Sequence, residues 1–193
     1  MALLNAQPPA GGRRLLATHL AAALRANRRG GPVQGVPSVS PPQGVYGITA
    51  ADISGGMPNG PDSVAKLESW RYFVHEDGAP VGIVLLGIAD DGALHFAGFR
   101  RGPVTEGLIA AIHAAEALDR VRESDWELRG FHISELHVMG LWLHAPRFDL
   151  FLPVYAPPET GLQSLQAYSA RALVDELRTH VDEVLQRPVL EEL

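Results

Sequence analysis

The chain has 193 residues, 46% of them hydrophobic and 20% charged, with a net charge of −6 and no cysteine. That composition is ordinary for a soluble globular protein, and the length suits one domain with an extension. The missing cysteine excludes disulfides, thiolate metal ligands and cysteine nucleophiles, so any metal would rest on His, Asp or Glu. No apolar run approaches the roughly eighteen residues of a membrane-spanning helix.

The charge is unevenly spread. Arg13, Arg14, Arg25, Arg28 and Arg29 are the only charged residues before Asp52. Residues 1–51 are therefore +5 and the remainder −11, an asymmetry that marks a tail with its own partner. Lys66 is the single lysine beside fifteen arginines, which reads as the coding bias of a GC-rich bacterial genome.

Residues 13–29, RRLLATHLAAALRANRR, have Leu16, Leu20, Ala23 and Leu24 at helical spacing. Arg13-Arg14 before an apolar stretch has the outline of a twin-arginine export signal. The stretch runs only from Leu15 to Leu24, is interrupted by His19 and is followed by more arginines, so a basic amphipathic helix in a cytoplasmic protein is expected instead. Residues 30–44 are rich in Gly and Pro and read as a linker; residues 53–63, including Ser54, read as a second irregular stretch. An arm over residues 1–62 and a body over 63–193 follow.

The body opens with three strand-like runs, 69–76, 80–88 and 93–100, separated by Asp77-Gly78 and Asp91-Gly92, the residue pairs of tight hairpin turns. Residues 103–124 carry a helical stripe, with Pro103 suited to the first turn and Glu116 and Arg120 at pairing distance on the far side beside His113. Three further strands follow, 126–133, 136–144 and 150–155, with Pro153 placing the last at an edge. Residues 162–187 predict a closing helix. The expected fold is α+β: an antiparallel sheet of two three-stranded meanders, each followed by a helix, with the helices packed on one face.

FHISELHVMG, residues 131–140, raises the question of a paired site. A two-residue Ser134-Glu135 loop would set His132 opposite His137 on one face. No third ligand shares that face, since His144 has the wrong parity, and the pair reads as strand residues near a hairpin end. Nucleophile-elbow, zinc-protease, Walker and dinucleotide motifs are all missing. No catalytic residue, metal or cofactor is assigned.

Two functions remain. The favoured one is a non-catalytic interaction or assembly module, with Arg13, Arg14, Arg25, Arg28 and Arg29 as a tether to a protein partner or a second copy. Trp142, Phe148 and Phe151 are its candidate contacts near the last hairpin. Nucleic acid fits poorly, because the body is acidic and the arm has no aromatic residue for stacking. The alternative is a small-molecule-binding protein or enzyme, with a pocket between sheet and helices walled by Tyr72, His95, Arg129, His132 and His137.

Overall fold

Leu3 and Leu4 form a two-residue strand, β1, that joins the sheet by parallel pairing with Trp126 and Glu127. The computed structural model describes residues 3, 4, 6, 7, 9–26 and 37–186. In chain order β1 is followed by α1 (Gly12–Ala26), β2 (Ser38–Val39), β3 (Gln43–Gly47), α2 (Ala50–Ser54), β4 (Lys66–Glu76), β5 (Ala79–Ile88) and β6 (Leu94–Arg100). Then come α3 (Pro103–Ala117), α4 (Asp119–Arg122), β7 (Trp126–Ile133), β8 (Val138–Ala145), β9 (Phe148–Tyr155), β10 (Tyr168–Ser169) and α5 (Ala170–Leu185).

The class is α+β, but two separate three-stranded meanders is the wrong description. The described residues form a single ten-stranded, mostly antiparallel sheet in the order β10-β9-β8-β7-β3-β4-β5-β6, with β1 alongside β7 and β2 alongside β4. The strand that joins its two halves is β3, antiparallel to β4 and parallel to β7. It lies inside the stretch read as arm and linker, so a boundary at residue 62 would cut through the sheet. Its five residues, QGVYG, are too few and too glycine-rich to show an alternating pattern.

The turns follow local chemistry. Asp77 and Gly78 have φ of 52° and 80° and close a two-residue hairpin between the paired residues Glu76 and Ala79. Positive φ at both central residues matches the twist of the flanking strands. The Asp91-Gly92 turn is longer: Gly92 N–H donates to Ala89, and Asp91 Oδ1 accepts from Ala93 N–H.

Helices cover both faces of the sheet, not one. Tyr72, Val74, Val84 and Leu86 pack with Leu16 and Leu24 of α1, whereas Phe73 and Ile83, pointing the opposite way, pack with Leu108 and Ala111 of α3. In the other half Trp142 and Phe151 meet Leu173, Val174 and Leu177 of α5, while Leu141, Leu143, Leu150 and Leu152 join the α3 side.

Two predicted helices are shorter than expected, while α1 is described over Gly12–Ala26, with residues 27–36, including Arg28, Arg29 and nearly half of the predicted linker, outside the described residues. The 103–124 helix breaks at Leu118, whose backbone is extended, so Glu116 and Arg120 do not share a helix; Arg120 instead lies over the Phe148 ring at 5.4 Å. α5 starts at Ala170, where the Ser169 hydroxyl accepts from Ala172 N–H; the residues before it form a loop and β10. β10 covers Leu150 and Phe151 of β9, leaving Pro153 beyond its reach. Ser54 is not in a loop but is the last residue of α2, a turn capped reciprocally by Thr49 and Asp52. No described helix is long and apolar enough to cross a membrane.

Candidate functional site

α1 meets the sheet at its first residue. Gly11, at φ 80°, turns the chain into the helix, and Gly12 is buried against Tyr72, where a Cβ would stand 2.9 Å from the phenol oxygen. Beyond that contact the described residues leave the seam between helix and sheet unfilled. A cavity of about 860 Å³ opens there, walled by Arg13, Leu16 and Leu20 of α1, by Val39 and Pro41, and by Tyr72. This lies in the size range of small-molecule sites, which are mostly apolar with a few placed polar groups.

Tyr72 is the distinctive group. It is 2% exposed, and its hydroxyl has no hydrogen-bond partner among the described residues. Burial raises its pKa, against the opposing influence of the Arg13 charge, so the oxygen keeps its proton at neutral pH. A buried donor without an acceptor costs about 1–3 kcal/mol. The residues lining this space include no general acid–base pair and no activated nucleophile, so the arrangement suits binding.

The five residues expected to share a pocket do not. His95 is exposed on β6, lining a separate groove of about 430 Å³ with Lys66 and Glu68. His132 and His137 are not opposite one another. The loop is a 3-10 turn over Ser134–Leu136 followed by His137 at φ 52°, so His132 pairs with Met139 and His137 is an exposed loop residue. His132 donates from Nε2 to Glu68 Oε2 at 2.8 Å, while Nδ1 lies 3.0 Å from Ser134 Oγ. Gly47 permits that bridge, because any Cβ there would collide with the Glu68 carboxylate. No group of three or more His, Asp or Glu suited to a metal occurs among the described residues.

Arg129 belongs to a different cluster, one the sequence did not reveal. Its guanidinium lies against the rings of Tyr46 and Trp142, which meet edge to face, and is ion-paired with Asp62 and Glu127. Burial works against its charge, but the hydrogen bonds to Glu127 and Asp62 outweigh it and hold the pKa above its ordinary value. Burial raises the Tyr46 phenol, and the Arg129 hydrogen bond lowers Asp62. Beside it, Asp149 Oδ1 accepts from Trp142 Nε1 at 2.7 Å and from His144 Nδ1 at 2.8 Å. The Arg129–Asp62 ion pair clasps the turn at Pro61–Ser63 onto the sheet.

The surface contacts are corrected likewise. Trp142 and Phe151 are fully buried, stacked at 5.5 Å in the core; only Phe148, 55% exposed, offers surface. Of the described arginines of the arm, Arg13 lines the cavity, while Arg14 and Arg25 are exposed on α1. Compared with family models, with curated proteins and with solved structures, the chain finds no match in any of the three.

Proposed function

We propose that this chain is a small-molecule-binding protein whose ligand, a lipophilic carboxylic acid, lies between α1 and the sheet. The observation that carries the reading is the Tyr72 hydroxyl: a buried donor without an acceptor among the described residues, on a side chain that lines a cavity whose other walls are largely apolar. A carboxylate would accept from that hydroxyl and meet the Arg13 charge, while its hydrocarbon body replaces water along Leu16, Leu20 and Val39. Charge-assisted hydrogen bonds of this kind contribute more than neutral ones.

The test is calorimetric titration of the full chain with dodecanoate, beside native mass spectrometry for a co-purified acid. Tyr72→Phe and Arg13→Ala should each weaken binding by about tenfold, the loss of one charged hydrogen bond or contact. Equal affinity in both variants, or no heat with the wild type, overturns the reading.

Association through the basic segment is the second reading, supported by Arg14 and Arg25 lying exposed on α1 above a predominantly acidic chain. Light scattering on an Arg14→Ala, Arg25→Ala double variant tests it. An unchanged mass would remove these arginines from any assembly.

A further inference from the structure

Arg71 lies on β4 in the middle of the sheet, 2% exposed, and has no carboxylate partner among the described residues. Its one hydrogen-bond acceptor there is Gln43 Oε1, which receives Nε at 3.1 Å and Nη2 at 2.9 Å. Gly130 of β7 presses bare backbone against it, since a Cβ there would stand 3.0 Å from Nη2. A buried charge is ordinarily paired with an opposite one, because removal from water is otherwise uncompensated. Burial pulls its pKa down to about 10, so the side chain still carries its charge at neutral pH.

A cavity of about 340 Å³ adjoins this charge on the α3 side, walled by Gln43, Phe73, His75, Ile109, Ile112 and His113. Two of those wall residues touch Arg71: Gln43 by hydrogen bonds and Phe73 by its ring, 5.9 Å from the guanidinium carbon. Arg71 therefore stands one side chain behind the wall. Guanidinium can only donate, so it fixes the Gln43 amide with oxygen inward and leaves the amide N–H groups as what Gln43 offers to the cavity. No acidic residue lines the space among the described residues. A fixed positive charge behind a low-dielectric wall acts on the cavity far more strongly than it would through water.

We propose that this cavity is a binding pocket for a small aromatic carboxylate, its anionic head against Gln43, His75 and His113 and its ring against Phe73, Ile109 and Ile112. Arg71 acts as a positioning residue, supplying charge and holding Gln43 in its donor orientation. The inference rests on other polar groups than the α1 cavity, which takes a longer, aliphatic body and meets this one at Ser40 and Pro41, residues that line both.

Titration of the full chain with benzoate, and with benzamide as its neutral isostere, followed by NMR of the histidine rings, tests this. Benzoate should bind and shift the His75 and His113 resonances, with benzamide weaker by about tenfold, the loss of one charge-assisted contact. His113→Ala, at an exposed position, should weaken benzoate several-fold without unfolding the chain. Arg71→Met should abolish the preference for benzoate over benzamide while raising the melting temperature, because an unpaired buried charge is gone. Equal binding of the two probes, displacement of benzoate by dodecanoate, or retained preference in Arg71→Met would overturn the proposal.

Discussion

The guanidinium carbon of Arg129 stands 4.7 Å from the centre of the Trp142 ring and 4.8 Å from that of Tyr46, and the two rings meet edge to face at 5.3 Å beside it. This contact ties β3, β7 and β8 together, and through Asp62 it holds the turn at Pro61–Ser63. Arg129→Lys keeps the charge but loses the planar fork that contacts two rings while reaching two carboxylates. It should cost about 1–3 kcal/mol, read as a lower urea midpoint at unchanged slope. An unchanged midpoint would show that the ring contacts contribute nothing beyond charge.

Asp62 gives that clasp a pH dependence. The hydrogen bond from Arg129 holds its carboxyl below the ordinary 3.8. The folded state therefore binds this proton less readily than the unfolded chain, and the stabilisation is complete above 3.8 and lost as pH falls through the folded value. Asp62→Asn should lower stability at neutral pH and converge with the wild type in acid. The effect should be small, since the side chain is 57% exposed. Urea midpoints measured from neutral to acid pH would expose a constant gap, the outcome incompatible with this linkage.

Truncation separates the N-terminal elements. Removing residues 1–26 uncovers Tyr72, Val74, Val84 and Leu86 and should give a folded but aggregation-prone chain with a lower melting temperature. Removing residues 1–50 also takes β3 from between β4 and β7 and should abolish cooperative unfolding. Calorimetry of both truncations would decide, and a sharp transition in the shorter chain would contradict the place given to β3.

Tyr72 should change sign with ligand. In the free protein Tyr72→Phe deletes an unpartnered hydroxyl and should be neutral or stabilising by up to about 1 kcal/mol. With saturating dodecanoate the wild type should melt higher than the variant, because ligand stabilisation follows affinity. Thermal melts with and without the acid test the reversal; a variant less stable in both conditions would mean that the hydroxyl already has a partner.

Much of the local structure was legible beforehand. Asp77-Gly78 and Asp91-Gly92 mark turns because backbone conformation there depends on the residues themselves, and the stripes of α1, α3 and α5 appear because helical periodicity is short-range. Tyr72 and Arg13 were each singled out, but in opposing readings, one as pocket wall and the other as tether. Nothing in residues 59 apart announces that α1 lays one over the other.

What the sequence by itself determined is the α+β class, the acidic body with its basic N-terminal stretch, and the exclusion of thiol chemistry. Only the tertiary structure decided that β3 joins the sheet's two halves, that helices cover both faces, and that His132 bonds to Glu68 and not beside His137. It alone set Arg71 against Gln43 with no carboxylate partner among the described residues. Strand pairing and the partners of buried polar groups depend on contacts between segments far apart in the chain, and a five-residue strand or a lone arginine carries no periodic signal of where it will pack.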